Sequence, residues 1–173
     1  VNAGSLEKHI LEKYGAPVPE ALVESALYHV SLLERFDFDD IVISIKSSDV
    51  QTMVAAYRLL SKRCAYPLHL GVTEAGTARM GMIKNAIGIG SLLLDGIGDT
   101  IRVSLTADPV EEVRAGYDIL KASGIRKTGA EVISCPTCGR TRINLIALAN
   151  EVETALAGCT KPIKVAVMGC AVN

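Results

Sequence analysis

Leu68-His69-Leu70-Gly71-Val72-Thr73-Glu74-Ala75-Gly76 leads into a helix-periodic run over 78–94, then the turn Asp95-Gly96-Ile97-Gly98-Asp99, then Ile101-Arg102-Val103-Ser104-Leu105. A short β-rich run, a long helix and a second β-rich run make a βαβ unit. A connection of that length implies parallel strands and a right-handed crossover.

The same alternation continues in both directions. Upstream, residues 41–45 read as a buried strand. Asp49 is placed to cap a helix over 50–63, whose apolar face includes Val54, Tyr57, Leu59 and Leu60. Residues 18–34 carry apolar side chains at helical spacing, with Pro19 and Glu20 as start signals. Downstream, Asp108 and Pro109 open a helix over 110–122, and Gly124 closes it. Strand starts recur every roughly 27 to 33 residues, close to the unit of a (βα)8 barrel. A whole barrel needs about 250 residues, so these units make about half of one, or a small open α/β sheet. The opening Val-Asn reads as the tail of a strand. Ala86-Ile87-Gly88-Ile89-Gly90-Ser91 resembles a dinucleotide fingerprint only on the surface. It lacks the third Gly and lies mid-helix, where small residues let helix and sheet approach closely.

After Gly129 the pattern restarts. A strand over 131–134 runs into Cys135-Pro136-Thr137-Cys138-Gly139. A helix follows over 143–157, then a strand over 163–168 ending at Gly169-Cys170. The basic segment over 126–129 reads equally as a linker or as an ordinary loop between helix and strand. The expected organisation is therefore two α/β domains, 1–129 and 130–173, in a chain truncated at both ends.

Of the 173 residues, 49% are hydrophobic, with two Phe and no Trp. An aliphatic core of that kind suits buried parallel strands. The net charge of -1 gives no footprint for nucleic acid or an anionic membrane. No apolar run reaches the roughly 18 residues of a membrane span. The opening residues lack the basic-then-apolar pattern of a secretory signal. The expectation is a cytoplasmic protein whose five cysteines serve metal or redox chemistry rather than disulfides.

Cys135, Cys138 and Cys170 all follow expected strands. Thiolates are soft ligands suited to iron–sulfur clusters and to zinc. A zinc ribbon would usually carry a second C-x-x-C pair, and a redox dithiol would not need Cys170. Their spacing leaves a cluster, a zinc site, a dithiol and inert thiols all open. Cys64 and Cys159 read as packing residues. Asn2, Lys46, Glu74 and Arg102 fall at or near strand ends, where a barrel puts its chemistry. Two cations, an acid and an amide suit an anionic substrate, with Glu74 available for proton transfer. Each alone could equally be a solvated loop residue. Arg102 is the exception, because a charge inside a short buried strand is costly unless it is paired or binds a ligand. His69 reads as structural, and His9 and His29 receive no role.

Six segments in order carry a family resemblance: residues 1–7, Ser44-Ile45-Lys46-Ser47-Ser48-Asp49, 69–76, 96–105, Cys135-Pro136-Thr137-Cys138 and Gly169-Cys170-Ala171-Val172-Asn173. Together they closely resemble the 4-hydroxy-3-methylbut-2-enyl diphosphate synthase family, iron–sulfur oxidoreductases of the non-mevalonate isoprenoid pathway. The resemblance implies the C-terminal half of a (βα)8 TIM-type barrel followed by the start of a smaller α/β domain holding a 4Fe-4S cluster. It implies two-electron reductive ring opening and dehydration of 2-C-methyl-D-erythritol 2,4-cyclodiphosphate, with flavodoxin or ferredoxin as electron donor. It also implies a homodimer in which the cluster domain of one subunit covers its partner's barrel. Asn2, Lys46 and Arg102 would bind substrate, Glu74 would act as acid/base, and Cys135, Cys138 and Cys170 would ligate the cluster. The family's fourth ligand is a Glu in a segment that would follow Asn173. The arginines that complete the diphosphate site belong to the other half of the barrel, so this chain alone is expected to be inactive. A non-catalytic α/β module binding zinc through the three cysteines is the alternative.

Overall fold

The computed structural model describes residues 1–170, and it divides into two compact units, Val1–Ile125 and Arg126–Asn173.

In the first unit a 3₁₀ turn (Ala3–Ser5) precedes α1 (Lys8–Tyr14), α2 (Pro19–Glu34), α3 (Val50–Leu60), β1 (His69–Leu70), α4 (Ala78–Leu94), β2 (Thr100–Ile101) and α5 (Pro109–Ala122). The expected helices form where their caps allow. Asp49 accepts from the Thr52 amide at the start of α3, and Asp108 accepts from the Val110 amide at the start of α5. The helix expected over 50–63 stops at Leu60, and short turn bonds carry the chain to Cys64. The short helix α1 has no counterpart in the sequence reading. It is held to α2 through Glu7, which accepts from the Ser25 hydroxyl and pairs with His29.

The strands are shorter than their β-rich runs. β1 and β2 pair in parallel, with His69 opposite Thr100 and Leu70 opposite Ile101. The segment expected over 41–45 contributes single bridges, Ile43 to Leu68 and Lys46 to Asn2, both parallel. Neighbours in the sheet are therefore neighbours in the chain, and all these pairings run parallel. Side chains replace the missing ladder bonds. Tyr57, fully buried on α3, accepts from the Ile45 amide at 2.9 Å and donates to the His69 carbonyl. Asp99 accepts from the Leu68 amide at 2.8 Å.

Successive side chains along each strand alternate between faces. Ile43, Ile45, Leu68, Leu70, Val72 and Val103 are buried in one aliphatic core with α2, α3, α4 and α5. Burying each such side chain contributes roughly 1.5–3 kcal/mol. Gly88, inside the rejected fingerprint, allows α4 close to α3 and to the strand. A Cβ there would lie 2.8 Å from both Met53 and Val72. The other face carries Ser44, Lys46, His69, Thr100, Arg102 and Ser104, none of them in that core.

The second unit is a single βαβ element: β3 (Glu131–Ser134), α6 (Leu145–Leu156) and β4 (Lys164–Val167). β3 and β4 pair in parallel from Glu131 opposite Lys164 to Ser134 opposite Val167. Asn144 caps α6 by accepting from the Ala147 amide. Leu145 and Val167 are the buried hydrophobic residues of this unit among those described.

Candidate functional site

The parallel register extends beyond the named strands. The Arg102 amide donates to the Leu70 carbonyl at 2.8 Å, and the Thr73 amide donates to the Ser47 carbonyl at 3.3 Å. With Asn2 paired to Lys46, this continuation places Asn2, Lys46, Gly71 and Arg102 in one row across the polar face. Three of these are the substrate-site candidates of the sequence, and Gly71 is the residue that the sequence reading passed over.

Gly71 is where the row makes room. A Cβ there would lie 2.8 Å from Arg102 Nη2, 3.1 Å from its Cζ and 2.8 Å from the Arg102 carbonyl oxygen. The guanidinium thus occupies the space of an absent side chain. Its Nε donates to the Ser104 hydroxyl at 3.2 Å. Its Nη2 is buried and has no hydrogen-bond partner among the described residues. No carboxylate pairs with Arg102 or Lys46 among the described residues. A buried guanidinium N–H without an acceptor is costly, and an acceptor there would supply what it lacks. A glycine inside a β-rich run was the available signal for this close approach.

One row below, His69 Nδ1 lies 2.7 Å from the Thr100 hydroxyl. Burial first, then the Arg102 and Lys46 cations, hold its pKa below the ordinary imidazole value. His69, set aside as structural in the sequence, is thus kept neutral beside the two cations. Asn2 caps the opening turn, its Oδ1 accepting from the Gly4 amide at 3.0 Å, which leaves its amide donors free of that bond. Glu74 lies outside the row, exposed, in the loop after β1, with a left-handed φ of 51°. A non-glycine residue in that region is uncommon and marks a special loop conformation.

An apolar groove of about 460 Å³ runs between α4 and α5, lined by Met82, Ile87, Leu94, Ile119 and Ala122 among others. It includes none of the polar row.

In the second unit Cys135 directly follows β3, and its amide donates to the Val167 carbonyl at 3.3 Å. Cys138 is exposed in the loop that follows. Hydrogen bonds from the Arg140 amide and guanidinium, then from Thr141, lower its thiol pKa and favour the thiolate. Cys170 follows β4, and the Arg142 amide donates to the neighbouring Gly169 carbonyl at 2.9 Å. The C-x-x-C loop and the end of β4 are therefore adjacent. Among the described residues, no three of His, Cys, Asp or Glu converge closely enough to hold a metal ion. The soft donor set and adjacent strand ends fit an iron–sulfur cluster in chemistry and topology, but the thiols are not gathered to bonding distance. Ala171, Val172 and Asn173 of the sixth sequence segment lie outside the described residues.

Fold and site together define an α/β chain with Lys46 and Arg102 in one polar row of its first unit and a cysteine-bearing second unit. Family models match both parts: the GcpE TIM-barrel domain over residues 1–117 and the GcpE protein C-terminal domain over residues 131–173. The chain belongs to the GcpE family. Over all 173 residues it is 66% identical to the 4-hydroxy-3-methylbut-2-en-1-yl diphosphate synthase (flavodoxin) of Clostridium perfringens. It is 67% identical to the protein of that name from Clostridium acetobutylicum and 62% to that from Geobacter sulfurreducens. The alignments take in 50%, 50% and 49% of those proteins, so the chain spans about half the length of the curated relatives it matches. Among the described residues no helix is long and apolar enough to cross a membrane.

Proposed function

We propose that the chain provides the second half of a (βα)8 barrel and the first part of a 4Fe-4S domain in a 4-hydroxy-3-methylbut-2-enyl diphosphate synthase. The proposed domains, 1–129 and 130–173, differ from the two compact units only in the assignment of residues 126–129. The substrate is 2-C-methyl-D-erythritol 2,4-cyclodiphosphate. The electron donor is flavodoxin, as in the names of the relatives. The intact enzyme is a cytoplasmic homodimer, in a compartment that keeps thiols reduced.

The observation that carries the reading is the Arg102 guanidinium over Gly71, with Nε on Ser104 and Nη2 buried without an acceptor. A diphosphate oxygen at Nη2 completes the guanidinium's hydrogen bonding. Lys46 adds a compact cation in the same row, and Asn2 an amide donor. His69 stays neutral, so it adds no third cation and keeps the Thr100 hydroxyl oriented. Glu74, on its exposed loop, takes or gives the proton at the departing hydroxyl. Cys135, Cys138 and Cys170 would hold the cluster, which when bound would relay the donor's two electrons to the substrate one at a time.

Titration of the chain with inorganic pyrophosphate tests the anion site by calorimetry. The expected result is binding that Arg102→Gln weakens more than tenfold, about the loss of one charged hydrogen bond. Equal affinity in the variant, or no binding by the parent chain, contradicts the reading.

A further inference from the structure

Beyond Arg102 the strand loses its ladder. The Arg102 amide is bonded to Leu70, and the next sheet-like contact is the Thr106 amide on the Gly76 carbonyl at 3.2 Å. Between them lies the peptide unit joining Ser104 to Leu105. Its two polar groups are held by side chains from two different helices. Asn85 of α4 donates from Nδ2 to the Ser104 carbonyl at 3.0 Å. Glu112 of α5 accepts from the Leu105 amide at 2.8 Å. A trans peptide points its carbonyl and N–H in opposite directions, so the two contacts grip one plane from both sides.

Asn85 is fully buried and contributes nothing apolar to the core. Its Nδ2 also donates to the Gly81 carbonyl, and its Oδ1 has no partner among the described residues. A helix carrying such a residue gives up stability at that point. The return is local order at Ser104, whose hydroxyl accepts from Arg102 Nε.

We propose that Asn85 and Glu112 are positioning residues that clamp the 104–105 peptide and so aim Arg102, through Ser104, at the bound diphosphate. The inference rests on the reading of Arg102 as an anion ligand. It adds two residues that touch no substrate and act through the strand end. Without the clamp, the Ser104 hydroxyl and the guanidinium it holds sample several orientations, and anion binding must order them first.

The test measures inorganic pyrophosphate affinity in the chain, with the Arg102 Nε–H resonance followed by NMR. Asn85→Leu keeps the number and branching of side-chain heavy atoms, removes the donor and removes the orphan oxygen. Glu112→Ala removes the acceptor, and Glu112→Gln keeps an amide oxygen in its place. Asn85→Leu and Glu112→Ala are each expected to weaken binding about fivefold, with Glu112→Gln within about twofold of the parent, as for loss and retention of one hydrogen bond. The Arg102 Nε–H signal should broaden or shift in the first two variants and stay in place in the third. Should Asn85→Leu fail to fold, the pair at the half-exposed Glu112 decides. Parent-like affinity and an unmoved Arg102 signal in Glu112→Ala overturn the clamp while Arg102→Gln still loses binding. Parent-like affinity in Arg102→Gln overturns the anion-site reading itself, which is a separate failure.

Discussion

In the first unit the candidate site residues are held from behind by side chains of α3, α4 and α5, whereas in the second they sit on loops at the ends of two strands. Tyr57 ties the Ile45 and His69 backbones, and Asn85 and Glu112 hold the peptide after Ser104. A continuous aliphatic core supports all of these. The second unit rests on one parallel pair and one helix, with Leu145 and Val167 as its buried hydrophobic residues among those described. The contrast fits what each site is proposed to bind. An anion is held by many weak contacts, so its site gains from being ordered beforehand. Metal–thiolate bonds are strong enough to order their own ligands, so the thiols can remain apart until metal binds.

The comparison can be broken at its strongest point first. Tyr57→Phe leaves the Ile45 amide and the His69 carbonyl without their buried partner. It should destabilise the first unit by about 3 kcal/mol, from two unsatisfied backbone groups. Chemical denaturation monitored by NMR should show that loss in the first unit, with β3, α6 and β4 unaffected. A stability unchanged from the parent would mean that the hydroxyl bridge does not fix the rim.

Leu145→Ala removes the larger of the two hydrophobic residues buried in the second unit among those described. It should cost about 2 to 3 kcal/mol, enough to broaden the β3 and β4 amide signals while leaving the first unit intact. Sharp β3 and β4 signals in that variant would show the second unit to be better supported than its burial implies.

A pH titration sharpens the comparison at smaller scale. The folded pKa of His69 is depressed, so the unfolded chain takes up a proton at higher pH than the folded one. The stability associated with neutral His69 is present above about pH 6.5 and is lost as pH falls through the folded value. The first unit should lose stability from pH 7 to pH 5, and His69→Gln should flatten that slope. Glu7 also has a lowered pKa, but its window lies below the ordinary carboxylate value and does not overlap. An unchanged slope in His69→Gln would remove His69 from the account.

The smallest effect concerns helix ends. Asp108→Ala and Asn144→Ala each remove one cap, one in each unit, and should each cost about 1 kcal/mol by thermal unfolding. Equal losses would show that helix capping follows the same rule in both units, leaving rim support as the difference between them.

Helices α4 and α5 were legible in the sequence because their signals are local: periodicity, Asp108 with Pro109, and Gly124. Strand lengths were not. A β-rich run such as 101–105 reports extended backbone, whereas a ladder also needs a partner, and past Arg102 that partner is a pair of side chains from α4 and α5. Lys46 and Arg102 could be picked out as charges at strand ends, and the structure adds their common row with Gly71. The roles of Tyr57, Asn85 and Glu112 depend on contacts between distant segments, which no local pattern records. The neighbours of His69, Thr100, Arg102 and Lys46, come from two other segments and were likewise not legible. The cysteine spacing named a ligand set but could not fix how closely the thiols approach.

The most direct test of the central claim, an ordered anion rim in the first unit and thiols in the second that assemble only on metal, is anaerobic reconstitution of the chain with excess iron and sulfide. The account predicts broad absorption near ~400 nm that bleaches with dithionite. It should fade on removal of free iron and should not form in Cys135→Ser. Pyrophosphate affinity of the first unit should be the same with and without the colour. A colourless protein that instead retains one tightly bound zinc through Cys135, Cys138 and Cys170 would contradict the account.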